Sequence, residues 1–220
     1  LAERHRDTVM AGRTLLQQAV PTTFGLKAAV WLSGVAPARV RLADVSLPVE
    51  LGGAAGTLAS LGDRGVEVLD AYACELGLDA PAVPWHATRF AVRELGAALD
   101  LVAGSCAKIA LDVELLAQTE IAEVREPAQG GSSTMPHKRN PVGSTLARAC
   151  AAGAHAAAGV LTGGVHEHER AAGAWHAEWN ALSDALAYTG GSAAALRETL
   201  DGMEVDAGRI QDYRVHRMTP

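Results

Sequence analysis

Aromatic side chains are scarce in this chain: two Phe, three Tyr and four Trp make up only 4% of 220 residues. Period-two alternation of apolar and polar residues is nearly absent too, which excludes a β-sandwich or barrel core. No apolar run is long and uncharged enough to span a bilayer, and no basic-then-apolar leader is seen. The expectation is a soluble, cytoplasmic protein with no membrane partner. A net charge of −6 argues against a nucleic-acid surface while leaving room for a local cationic site. The three cysteines, Cys74, Cys106 and Cys150, are odd in number, far apart and set in apolar, helix-like context. They read as reduced core residues, neither bridged nor zinc-bound.

What is abundant is Ala and Leu, within 49% hydrophobic residues, a composition suited to a large helical core. Val92, Leu95, Leu99, Val102, Cys106, Ile109, Val113 and Leu116 follow an unbroken 3,4 spacing, the seam of one long helix in a left-handed bundle. Gly96 and Gly104 on that helix are expected to be close-packing points. Further helices are expected at about Arg4 to Leu16, Phe24 to Leu32, Thr57 to Leu76, Val142 to Leu161 and Glu169 to Leu200, with breaks at Pro21, Gly52-Gly53 and Pro81. The fold expected is all-α, a bundle of long, roughly antiparallel helices in one domain over 1–220. A helix of about 25 residues is roughly 38 Å long, so functional segments at its two ends can meet only between subunits.

The most informative stretch runs G-S-S-T-M-P-H-K-R-N-P over 131–141. Two serines, Ser132 and Ser133, follow a flexible glycine pair and precede Lys138, Arg139 and Asn140-Pro141. Asn is a favoured N-cap and Pro is tolerated at the first helical position, so a mobile loop is expected to run into a helix N-terminus. Backbone N–H groups, the helix dipole and two cations there favour an anion with several carboxylates. A hydroxyl beside such a site can have its alkoxide form stabilised, and can exchange a proton with carbon without a histidine.

This string resembles, nearly letter for letter, the signature loop of the fumarase/aspartase superfamily, in the form carried by adenylosuccinate lyases and bacterial 3-carboxy-cis,cis-muconate cycloisomerases. G-R-T-L-L-Q-Q-A-V-P-T-T-F-G-L-K over 12–27 is similar to a second signature region, and Arg13, Thr14, Gln17, Thr22 and Thr23 offer donors there. L-G-G-A-A-G-T from Leu51, P-W-H-A-T-R from Pro84, Gln118-Thr119-Glu120, and H-E-R-A-A-G-A-W-H-A-E-W from His168 extend the resemblance over nearly the whole chain. It implies the central helical domain of a longer polypeptide, with flanking domains largely outside these residues. It further implies a homotetramer with shared active sites, a small polycarboxylate substrate, and no metal or organic cofactor.

Two departures narrow the chemistry. The adenylosuccinate lyase version has a histidine after G-R-T, where this chain has Leu15, and a glutamate where it has Thr145. Neither leucine nor threonine can protonate a departing amine or hydroxide. A carboxylate leaves without that help, so the resemblance points to a cycloisomerase that closes or opens a lactone, in protocatechuate breakdown through the beta-ketoadipate route. Ser132 is the expected proton carrier, with Ser133 as partner or neighbour. Lys138 and Asn140 are expected to bind a substrate carboxylate and the aci-carboxylate; Arg13, Thr14, Gln17, Thr22, Met135 and Arg170 are further substrate contacts. Two alternatives stand: a lyase of the same superfamily expelling a group that leaves unaided, such as nitrite from a nitrosuccinate, and a non-catalytic helical scaffold.

His166, His168 and His176 with Glu167, Glu169 and Glu178 invite a metal reading. Residues two apart on a helix do not face each other, so no metal is expected. Arg170 suits a bidentate carboxylate pair. Trp175 and Trp179 read as a packed helix face and Trp31 and Trp85 as core, while His86 is either a helix-start polar group or a site contact.

Overall fold

A computed structural model describes residues 1–128 and 130–210. Its frame is five α-helices: α1 (Phe24–Ala43), α2 (Gly65–Leu76), α3 (Phe90–Leu116), α4 (Val142–Gly163) and α5 (Ala174–Asp201). Of the eight heptad positions on α3, Leu99, Cys106, Ile109, Val113 and Leu116 are buried and the rest half-buried. Contacts along the helices fix their directions. Gly96 lies against Leu161 and Glu114 bonds Thr145 and Arg148, so α3 and α4 are antiparallel. Gly143 abuts Thr199 and Gly153 abuts Tyr188, so α4 and α5 are antiparallel as well. Trp31 donates to Asp112 at 2.7 Å and Ser105 to Gly34 at 3.3 Å, which lays α1 antiparallel on α3. The architecture is the helical bundle that the seam predicts.

Close approach is possible because the buried face of α4 is almost wholly alanine: Ala147, Ala151, Ala154, Ala157 and Ala158, closed by Leu161. Gly96 serves the same purpose on α3, since a Cβ there would come within 2.9 Å of the Leu161 Cβ. Gly96→Ala gains helix propensity of about 1 kcal/mol but overpacks this contact by about 1–3 kcal/mol. A net loss of stability of about 1 kcal/mol is expected, read as a lower urea midpoint at unchanged slope. Gly104 differs from expectation: among the described residues nothing lies within 4 Å of where its Cβ would be.

The largest departure from the sequence reading is at the start of the chain. Instead of a helix over Arg4 to Leu16, β1 (Val9–Thr14) and β2 (Gln17–Thr23) form an antiparallel hairpin. Val20, Thr22 and Thr23 favour extended backbone, and Pro21, read as a break, pairs opposite Ala11. Gly12 sits at the register shift between Ala11 and Arg13, where a Cβ would be 2.7 Å from the Val20 carbonyl oxygen. The two-residue turn is Leu15-Leu16, both left-handed at φ 50° and 64°. Such backbone normally selects Gly or Asn.

Smaller corrections follow. α1 runs past Leu32, through Gly34 and Pro37, to Ala43. The expected helix over Thr57 to Leu76 is split into 3₁₀ turns over Ala59–Arg64, kinked within at Gly62 where φ is 54°, and α2. α5 begins at Ala174 rather than Glu169. A second small sheet pairs β3 (Val124–Arg125) with β4 (Glu204–Val205) beside the end of α3. Cys106 is core and burial pushes its thiol pKa up, whereas Cys74 is on the surface. Trp31 is buried, Trp85 is half-buried with its indole N–H on the Val49 carbonyl, and Trp179 meets Trp175 edge-on yet stays largely exposed. No helix of the described residues is long and apolar enough to cross a membrane.

Candidate functional site

The signature loop leaves and rejoins the bundle at one point. Gly130 and Asn140 exchange backbone hydrogen bonds in both directions at 3.1 Å, and the Asn140 Nδ2 donates to the Gly130 carbonyl at 2.9 Å. Residues 131–139 form a largely exposed ring beyond this clasp. Inside the ring the Ser132 Oγ accepts the Met135 N–H at 3.2 Å and lies 3.4 Å from the Thr134 Oγ1, while the Lys138 N–H donates to the Met135 carbonyl at 2.9 Å. Ser133, Met135 and Lys138 face solvent and Asn140 is half-buried.

The helix start differs from the sequence reading in two respects. Asn140 does not cap α4: the cap position falls to Pro141, which has no side-chain acceptor, and the Asn140 Nδ2 donates to the loop clasp. The anion at the helix N-terminus is a residue of the chain itself. Glu126 accepts the N–H groups of Gly143 at 2.8 Å and Ser144 at 2.9 Å, the contacts an N-cap side chain would make. A substrate carboxylate therefore does not take that place. Below the ring, a cavity of about 150 Å³ is lined by Thr119, Arg125, His137, Arg139 and Asn140, with Glu126 as its one acid, so the cations it offers are side chains.

The hairpin reaches this same end of the bundle. Both terminal nitrogens of Arg13 bond Glu123, at 2.6 and 3.0 Å, and Glu123 is completely buried. Arg13 thus anchors the hairpin to the segment that leads into the loop. Thr14 and Gln17 stand exposed at the hairpin tip and Thr22 is half-buried at its base. Thr145, on the first turn of α4, donates to the Pro141 carbonyl and to a Glu114 carboxylate oxygen at 3.1 Å.

Arg170 lies elsewhere. Its guanidinium donates to the carbonyls of Gly53 and Ala54 and rests 5.8 Å from the Trp175 ring centre, beside a cavity of about 280 Å³ that Glu50, His86 and His168 also line. His86 accepts the Ala171 N–H on Nε2 at 3.3 Å, so it is the neutral Nδ1–H tautomer. Burial, then the charges of Arg170 and Arg89, hold its pKa below the usual histidine value. Glu167 accepts the Ala172 N–H at 3.1 Å, and that bond holds its carboxyl pKa down. Among the described residues no three His, Cys, Asp or Glu gather as a metal site; His166 instead faces Glu178 at 3.2 Å, and Glu178 takes a bidentate pair from buried Arg89.

Arg170 and His86 belong to the end of the bundle where α3 begins, and Ser132, Lys138, Asn140 and Arg13 to the end where it stops. The 27 residues of α3 separate them by about 40 Å. One chain brings Ser132, Ser133, Met135, Lys138 and Asn140 together, with the hairpin residues at the same end, and leaves Arg170 apart. Sequence reasoning missed Glu123, Glu126 and Arg89, whose partners lie between 17 and 110 residues away along the chain. The one local signal was a pair of acids three apart directly before the loop.

The family model described as Lyase matches residues 1–155. The chain is 49% identical over 218 residues to a 3-carboxy-cis,cis-muconate cycloisomerase of Bradyrhizobium diazoefficiens, covering 96% of this chain and 48% of that protein. It is also 49% identical over 225 residues to a nitrosuccinate lyase of Streptomyces davaonensis, again covering 96% and 48%. The crystal structure of 3-carboxy-cis,cis-muconate lactonizing enzyme from Pseudomonas putida superposes with a TM-score of 0.91 at 42% identity, over 96% of this chain and 49% of that one. The chain thus spans about half the length of the relatives it matches. On the extent of the matched model and the identity it shares with these relatives, the chain belongs to the lyase family, that is, to the fumarase/aspartase superfamily whose signature loop it carries.

Proposed function

We propose that the complete protein is a cycloisomerase interconverting 3-carboxy-cis,cis-muconate and its lactone. The observation that supports this reading is the ring over 131–139, which carries Ser132 and Lys138 on one closed loop, in a chain whose Leu15 and Thr145 supply no acid for a poor leaving group. In the closing direction a substrate carboxylate oxygen bonds to the far carbon of a conjugated double bond. The electron pair moves onto the neighbouring carbon and its carboxylate as an aci-carboxylate, and the Ser132 Oγ–H delivers a proton to that carbon. In the opening direction the Ser132 alkoxide removes the same proton and the ring carboxylate departs. The Met135 N–H donated to Oγ lowers the cost of that alkoxide, and Lys138 offsets the extra charge on the substrate.

The 40 Å between Ser132 and Arg170 supports a site shared between subunits, with the loop of one copy meeting the Arg170 end of another in a homotetramer. The relatives' names support the substrate class, a small polycarboxylate, and with it the protocatechuate route.

A second reading has one specific support, the 49% identity to a nitrosuccinate lyase. It uses the same proton on carbon and a leaving group that also needs no acid. Incubation of the full-length protein with 3-carboxy-cis,cis-muconate is expected to bleach the ultraviolet absorbance of the conjugated diene. Absence of bleaching together with release of nitrite from nitrosuccinate would transfer the assignment to the lyase.

A further inference from the structure

Glu126 forms no ion pair among the described residues, although Arg125, His137 and Arg139 line the same cavity; its hydrogen bonds go to backbone. Its side chain is buried, and its two carboxylate oxygens accept the Gly143 and Ser144 N–H groups at the start of α4. Among the described residues no lysine, arginine or histidine pairs with it. The charge is held by a helix terminus that Pro141 cannot cap. Such a contact joins two points that flank the signature ring: Glu126 precedes it and Gly143 follows it.

The segment carrying Glu126 is fixed on three further counts. Glu123 is held by Arg13, Val124–Arg125 is paired with Glu204–Val205, and Pro127 packs so tightly on Gly202 that a Cβ there would be 2.6 Å away. On the other root, Gly143 admits no side chain, because its Cβ would collide with the Thr199 hydroxyl of α5 and lie 3.2 Å from the Glu126 carboxylate. Both roots are therefore rigid parts of the bundle, and Glu126 sets the spacing between them. Above them the Gly130·Asn140 clasp closes the ring, whose own hydrogen bonds lie within itself.

From this we infer that Glu126 is a positioning residue for the signature loop: by clipping its entry strand to the first turn of α4, it fixes where Ser132 and Lys138 stand. The inference rests on the reading of Ser132 and Lys138 as site residues, but its structural half can be tested without it. Lys138 and Arg139 are exposed on the ring in the single chain and are the tryptic sites within it, so their cleavage reports how firmly the ring is held. The experiment compares full-length wild type with Glu126→Gln and Glu126→Asp. In Gln one acceptor oxygen becomes an amide that faces an N–H, so the clip opens. Tryptic cleavage at Lys138 and Arg139 is expected to accelerate at least about tenfold with far-UV circular dichroism unchanged, and kcat to fall about ten- to hundredfold, more than KM rises, as displacement of a reacting group by about 1 Å does. Asp keeps the charge but is one methylene shorter and reaches one N–H, so it should recover part of both losses.

Wild-type cleavage rates in Glu126→Gln would overturn the inference whatever the activity. Should that variant not fold, cleavage of Glu126→Asp at the wild-type rate would overturn it equally. If the wild-type enzyme turns over neither candidate substrate, the proposed function fails while the cleavage comparison still decides the role of Glu126.

Discussion

Ser132→Ala is expected to lower kcat by about 10²- to 10⁴-fold while leaving KM within about threefold, because the hydroxyl moves the one proton the reaction must transfer. The Ser132 Oγ accepts the Met135 N–H and approaches the Thr134 hydroxyl, both within the ring, so its removal costs the bundle nothing and the clasp at Gly130 and Asn140 remains. The loss should therefore appear in protein with wild-type circular dichroism and wild-type melting. Ser133, its exposed neighbour, is the control: Ser133→Ala should retain at least about a tenth of the wild-type rate. If Ser132→Ala kept that much activity, proton transfer would have to be assigned to another group, and a scaffold with no turnover at all would leave nothing for either variant to change.

The bundle was legible because its signal is local and repeated. The eight-residue seam on α3 states its period in the sequence, and the alanine-rich stretch of α4 states how closely its neighbours approach. The hairpin was not legible, because Leu15 and Leu16 sit where turn chemistry would place Gly or Asn, and their spacing to earlier apolar residues imitates a helix. Both leucines are also largely exposed in the single chain, so the feature that betrays the turn is visible only in coordinates. α1 runs past its expected end at Leu32, because packing against α3 carries the helix through Gly34 and Pro37.

At the site the loop was legible and its foundations were not. Asn140-Pro141 has the grammar of a helix start, yet the Asn140 side chain closes the ring and a glutamate from before the loop caps the helix. A capping partner 17 residues away leaves no pattern for a local rule to find. Arg13 shows the same limit: a cation in a signature region invites a substrate anion, but a fully buried carboxylate 110 residues along the chain holds both its terminal nitrogens.

The largest effect on stability is expected at the opposite end of the bundle, where Glu178→Ala should cost about 3–5 kcal/mol in the urea-unfolding free energy at fixed protein concentration. The Arg89 side chain is only 10% exposed and that of Glu178 3%, so neither charge has water to fall back on. Arg89 also carries unfavourable backbone, at φ 51°, as the residue that starts α3. Its bidentate pair with Glu178 and its contact with the Trp85 ring, 5.3 Å from the centre, hold it there. Removing the carboxylate leaves a buried guanidinium unpaired and deprives His166, itself 1% exposed, of the carboxylate oxygen 3.2 Å from its Nε2. The cost belongs to the orphaned charge more than to the lost attraction. Arg89→Met combined with Glu178→Leu should therefore recover most of the loss, and the cycle built from Arg89→Met and Glu178→Leu, singly and together, should show a coupling of at least about 2 kcal/mol. A single Glu178→Ala cost under about 1 kcal/mol, or additive effects of the two substitutions, would show that the pair is solvated in the assembled protein. In that case the start of α3 would depend on the packing of Trp85 and Trp175, and Arg89 would be available to the cavity that Arg170 and His86 line.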